Sequence, residues 1–154
     1  MALGLSNKFL PDLRAEGGDV SSAASSSVDD EFLKLGLRYA EAGRFDEAIE
    51  ILNEAVEENP TARRFMALGV VYLQKNDYDR AYNNLSEALA REPQLPPAIF
   101  FMAMLYEKKG MPQDALAQWK NFLQVSRKKH LREVAEKHIR QLELQLGLTP
   151  ENNK

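Results

Sequence analysis

The chain contains no cysteine, which excludes a disulfide framework and any thiolate chemistry. It has two histidines, His130 and His138. They fall eight residues apart in one helical pattern, about 12 Å along the axis at 1.5 Å per residue. That is too far for one metal ion to be shared. No glycine-rich phosphate loop and no nucleophile elbow occurs. No enzyme activity, metal or cofactor is therefore expected. Long apolar runs are also missing: the longest is AIFFMAML, Ala98 to Leu105, against the roughly 18 residues a membrane span needs. The first residues, MALGLSNKFLPDL, lack the cationic start and apolar core of a signal peptide, so a cytoplasmic location is expected. With a net charge of -3 and an isoelectric point near 5.5, the chain has no general attraction to nucleic acid or anionic membrane. Period-two alternation never persists, which argues against strands.

What is present is helical pattern and punctuation. Residues 14 to 28, RAEGGDVSSAASSSV, are small and polar and read as a flexible linker. With the short apolar segment before them they form an N-terminal arm, residues 1–28. Pro11 prevents a long helix there. From Asp29 the periodicity is helical to about Leu148. Asp29 or Asp30 is placed to cap the first helix, Gly43 to end it in a left-handed conformation, and Asp46 to cap the next. Glu58 to Pro60 close that helix and Thr61 begins another. Pro96 or Pro97, and then Pro112, suit first helical turns. The pattern predicts six helices in three antiparallel pairs over 29–61, 62–95 and 96–128. A seventh, capping helix follows within 129–148, and then a disordered tail over 149–154.

One unit is written three times. YAEAGRFDEAIE (Tyr39–Glu50), YLQKNDYDRAYN (Tyr72–Asn83) and YEKKGMPQDALA (Tyr106–Ala117) each place an alanine nine residues after the tyrosine, at Ala48, Ala81 and Ala115. The spacing is 33 and then 34 residues. The first unit carries Phe32, Leu35, Gly36, Tyr39, Ala48, Leu52, Ala55 and Pro60. The second carries Phe65, Leu68, Gly69, Tyr72, Ala81, Leu85, Ala88 and Pro93. The third carries Ile99, Met102, Ala103, Tyr106, Ala115, Trp119 and Phe122. In period and markers the sequence resembles the tetratricopeptide repeat family. It departs at Phe122, where that family prefers a small residue, and at Arg127, where it prefers proline. The resemblance covers roughly 100 residues and implies an all-α, right-handed solenoid of three helix–turn–helix repeats with a capping helix. A glycine inside a helix costs about 1 kcal/mol relative to alanine. Gly36 and Gly69 are therefore expected where two helices approach closely, with Ala48 and Ala81 as small partners. Phe32, Leu35 and Tyr39 are expected to fill the space on either side. The last helix offers Leu131, Val134, Ala135, His138, Ile139, Leu142 and Leu146 at helical spacing, with a charged opposite face.

A second apolar line lies about 100° round the first helix of each pair. It comprises Leu33, Leu37 and Ala40, then Met66, Val70 and Leu73, then Phe100 and Met104, with Gln74, Glu107 and Lys108 towards one edge. The resemblance implies that this face lines a concave groove for a partner segment. Leu33, Leu37, Met66, Val70, Leu73, Phe100, Met104 and Lys108 are the expected partner-binding residues. Apolar side chains there exclude the Lys, Arg and Asn clamp with which some family members hold the terminal carboxylate of heat-shock chaperones. An apolar peptide or amphipathic helix is the expected partner, and the protein reads as an adaptor or assembly factor. The competing explanation is that the helix is sandwiched and needs a wide apolar arc.

The chain also carries a possible ligand of its own: Leu5, Phe9, Leu10 and Leu13, tethered by the polar linker. Charge is uneven along the array. Asp29 to Pro60 holds ten acidic and three basic residues; Ser126 to Arg140 holds six basic and two acidic. Opposite ends of opposite sign suggest head-to-tail self-association, the alternative being a structural scaffold or a minor subunit of a larger complex. The basic helix lacks interleaved aromatics, so no nucleic-acid partner is expected.

Overall fold

The computed structural model describes residues 26–148. Among these residues there are seven helices and no strand: α1 Ser26–Glu41, α2 Phe45–Glu58, α3 Ala62–Gln74, α4 Tyr78–Arg91, α5 Pro96–Lys108, α6 Pro112–Val125 and α7 Lys129–Gln145. They pack as three antiparallel pairs, α1/α2, α3/α4 and α5/α6, with α7 laid on α6. The first helices of the pairs also touch in series, α1 on α3 and α3 on α5. This is the expected two-row solenoid.

Several start signals differ from expectation. Helix α1 begins at Ser26, so Asp29 and Asp30 lie inside it and do not cap it. Arg44, not Asp46, precedes α2, and Asp46 sits in its first turn. Thr61 does cap α3, its hydroxyl accepting the Arg64 N–H at 3.3 Å. Pro96 and Pro112 occupy first helical positions, where the missing N–H costs nothing. The turn inside each pair uses one left-handed residue at the same register: Gly43 (φ 76°), Asn76 (φ 63°) and Gly110 (φ 69°).

Helix crossings explain the glycines inside helices. A Cβ on Gly36 would stand 2.5 Å from Cγ of Leu52, and one on Gly69 would stand 2.7 Å from Cγ of Leu85 and 3.2 Å from its backbone nitrogen. The returning helix thus docks its leucine into the space a side chain would need. Leu68 is buried between repeats, whereas its counterpart Leu35 is 41% exposed. Leu35 does not fill the first crossing as expected, because no repeat among the described residues stands before α1 to cover it.

Helix α7 occupies the place of a fourth first helix. Arg64 on α3 donates to the carbonyls of Ala55 and Asn59, which end α2. Arg132 on α7, 68 positions later and so two repeat lengths on, donates to the carbonyls of Leu123 and Ser126, which end α6. Each guanidinium thereby donates to carbonyls at the end of the preceding helix. The same shift of 68 carries Phe65, Leu68, Gly69 and Tyr72 onto Glu133, Glu136, Lys137 and Arg140, all exposed. The face that would receive a further helix is charged, so the described array ends there. Leu131, Ala135, Ile139 and Leu142 are buried on the other side.

Candidate functional site: the inner helix line

The first helices of the pairs form the inner row. Seven of the eight expected groove residues are buried: Leu33 at 4% exposure, Leu37 at 0%, Met66 at 2%, Val70 at 0%, Leu73 at 5%, Phe100 at 1% and Met104 at 7%. Lys108 is exposed. In this conformation the line is therefore not an open apolar trough. Enclosure is complete around α3, where every residue from Met66 to Gln74 is buried, and around α5, buried from Pro96 to Leu105. Such runs cover more than two helical turns, so neither helix leaves a side to solvent there.

Phe100 has a specific environment. Its ring meets Phe101, Trp119 and Phe122 edge-on, with centroids 5.6, 4.9 and 5.4 Å away. Edge-to-face packing of this kind adds about 0.5–1.5 kcal/mol per pair beyond area burial. Phe122, where the family prefers a small residue, belongs to this cluster and is fully buried. Phe100 is thus part of the third repeat's core through α6. Trp119 fills that core too.

Sequence reading placed Glu107 and Lys108 at one edge of the inner line but missed the cluster that Glu107 forms with Trp119 and His138. Glu107 stands 34 residues after Leu73, and His138 stands 68 after Val70, so both occupy inner-row positions. The Trp119 indole N–H donates to Glu107 Oε1, and His138 Nδ1 lies 2.8 Å from the same oxygen. The His138 ring stacks on Trp119 at 4.6 Å. Side chains of Glu107 and His138 remain 28% and 22% exposed. This cluster ties α7 to α5 and α6, and it converts an apolar line into a polar terminus beside Lys108. The repeat period was the signal that could have found it.

The outer edge carries repeat-to-repeat ties. Lys75 pairs with Asp46, and Lys109 pairs with Asp79 at 3.4 Å. The lysines are 34 apart and the aspartates 33, so one contact is written twice. Exposed pairs of this kind contribute roughly 0–1 kcal/mol each. They border an open concavity of about 520 Å³ lined by Lys75, Asn76, Asp77, Tyr78, Asp79 and Lys109, which shares no residue with the inner line. Burial, followed by the neighbouring Tyr82, pushes the Tyr106 hydroxyl above its ordinary range. Among the described residues no cluster of His, Asp and Glu is arranged to hold a metal, and no helix is long and apolar enough to cross a membrane.

A two-row array of helix pairs with a 34-residue register defines a class, the α-solenoid of short repeats. Residues 33–96 match the tetratricopeptide repeat family. No curated protein matches the sequence. Solved structures share the fold. The type III secretion chaperone SycD of Yersinia enterocolitica, in complex with a peptide of the translocator YopD, is 17% identical with a TM-score of 0.70, over 80% of this chain and 98% of that one. MamA is 20% identical with a TM-score of 0.68, over 94% and 78%. A chain of a type III secretion complex from Aeromonas hydrophila is 21% identical with a TM-score of 0.69, over 92% and 97%.

Proposed function

We propose that this protein is a non-enzymatic interaction module, cytoplasmic, that holds an apolar or amphipathic segment of another protein along its inner helix row. The observation that carries this reading is the inner line itself. It is apolar through Leu33, Leu37, Met66, Val70 and Leu73, and it ends in the partly exposed Glu107, Lys108 and His138. An apolar track with a polar stop suits a segment with one oily face and a defined end. The chaperone that shares this fold with a bound translocator peptide supports the same mode. Because the walls are buried, a partner must displace whatever encloses them. A photo-crosslinking residue in place of Lys108 is expected to give adducts of discrete mass in cells, while one in place of the exposed Glu54 on α2 does not. Equal adducts, or none, at both positions would overturn the reading.

A second reading rests on the charge asymmetry: acidic α1 and α2 at one end, basic α7 at the other. Head-to-tail assembly would join them, and it is compatible with the first reading because the inner row stays available.

A further inference from the structure

We infer that the inner row is closed by this chain's own N-terminal segment, residues 3–13, bound in cis. The inference rests on the inner row being the binding surface proposed above. Helix α3 packs against α1, α2, α4 and α5, and α5 packs against α3, α4 and α6. In the two-row arrangement α4 lies behind α3, where Gly69 meets Leu85, and the inner-row neighbours lie at its flanks. Among the described helices these contacts place none across the inner side of α3, yet Met66, Val70 and Leu73 there are 2%, 0% and 5% exposed.

Composition narrows the cover. Residues 149–154, TPENNK, offer no large apolar side chain, and residues 14–25 offer only Val20. The segment before them supplies Leu3, Leu5, Phe9, Leu10 and Leu13 within eleven residues. All of these lie outside the described residues. Reach also favours the same chain. Twelve residues, 14–25, separate Leu13 from the start of α1 at Ser26. A chain of that length spans about 17–21 Å on average and at most about 40 Å. Leu33 lies only about 11 Å along α1 from Ser26. A tether this short gives an effective concentration near 1 mM. A segment with a free affinity of about 100 µM would then be docked about nine-tenths of the time and weaken a competing ligand about tenfold. The consequence is a self-occupied receptor. A partner segment must outcompete residues 3–13, and the released segment becomes available for contacts of its own.

The full-length chain can be tested directly, because the absence of cysteine permits a single label. A nitroxide on Ser6→Cys is expected to broaden the methyl signals of Leu37, Val70 and Leu73 far more than those of Leu89 on α4 or Leu144 on α7. That pattern should be independent of concentration. Broadening that appears only when spin-labelled and isotope-labelled chains are mixed would assign the cover to a second copy and overturn docking in cis. The variant Leu5→Glu/Phe9→Glu/Leu10→Glu, otherwise full length, should bind a fluorescein-labelled peptide of residues 1–13 about tenfold more tightly than the unsubstituted chain. Equal affinity in the two chains, or no binding to either, would overturn the inference. Adducts at position 108 without selective broadening would sink the tail and leave the interaction module standing. Absence of both would remove the surface itself.

Discussion

Gly69 shows what single residues decide in this array. In an isolated helix, Gly69→Ala would gain about 1 kcal/mol of propensity. Here the new methyl meets the side chain and the backbone nitrogen of Leu85, at 2.7 and 3.2 Å. Backbone cannot yield as a side-chain tip can. We therefore expect net destabilisation of about 1–3 kcal/mol in denaturant unfolding, against the propensity scale. Asn76 makes the complementary point. It takes the left-handed position that Gly43 and Gly110 hold elsewhere, and its Oδ1 accepts the Tyr78 hydroxyl at 3.2 Å. Asn76→Ala should cost about 1–2 kcal/mol, with Asn76→Gly close to neutral, measured by the same unfolding curves. The crossing at Gly69 was legible in the sequence, because glycine inside a strong helical pattern needs a reason. Left-handed Asn76 was less so, since asparagine has many roles in turns.

Two helix ends in this chain are gripped by an arginine from the next helix. Arg132 holds the carbonyls of Leu123 and Ser126, as Arg64 holds those of Ala55 and Asn59. Arg132→Met keeps an apolar stem and removes the donors. It should weaken docking of α7 by about 1–3 kcal/mol, since charge-assisted bonds to buried carbonyls are lost. Hydrogen exchange is expected to accelerate in α7 and the end of α6 while α1 to α4 stay protected. Uniform acceleration along the chain would show that α7 is not a separable cap. The existence and order of the helices followed from periodicity and from Pro96, Pro112 and Gly43. Their starts did not always follow: Asp29 and Asp30 lie inside α1, and Asp46 sits in the first turn of α2 and not before it. Asp46 pairs with Lys75 across two repeats, a choice no local rule contains.

Across the whole molecule, contacts are between neighbouring repeats, so the two ends differ from the middle. Leu35 is exposed at one end, and Glu133, Glu136, Lys137 and Arg140 are exposed at the other. Attraction between acidic α1/α2 and basic α7 would be screened within about a Debye length. Sedimentation at low ionic strength is therefore expected to show species larger than the monomer that dissociate on adding salt. A monomer throughout would remove head-to-tail assembly and leave the inner row as the interaction surface.

Repeat period, helix count, close crossings and the charged face of the last helix were determined by the sequence alone. Each of these rests on spacing along one chain, and a period of 34 survives without coordinates. Tertiary structure decided two things: that Leu37, Val70 and Leu73 are enclosed, and that Glu107, Trp119 and His138 meet. Burial depends on what lies opposite a side chain, and that neighbour comes from a different helix. The same leucine can wall a groove or sit in a core, and only its surroundings in space distinguish the two.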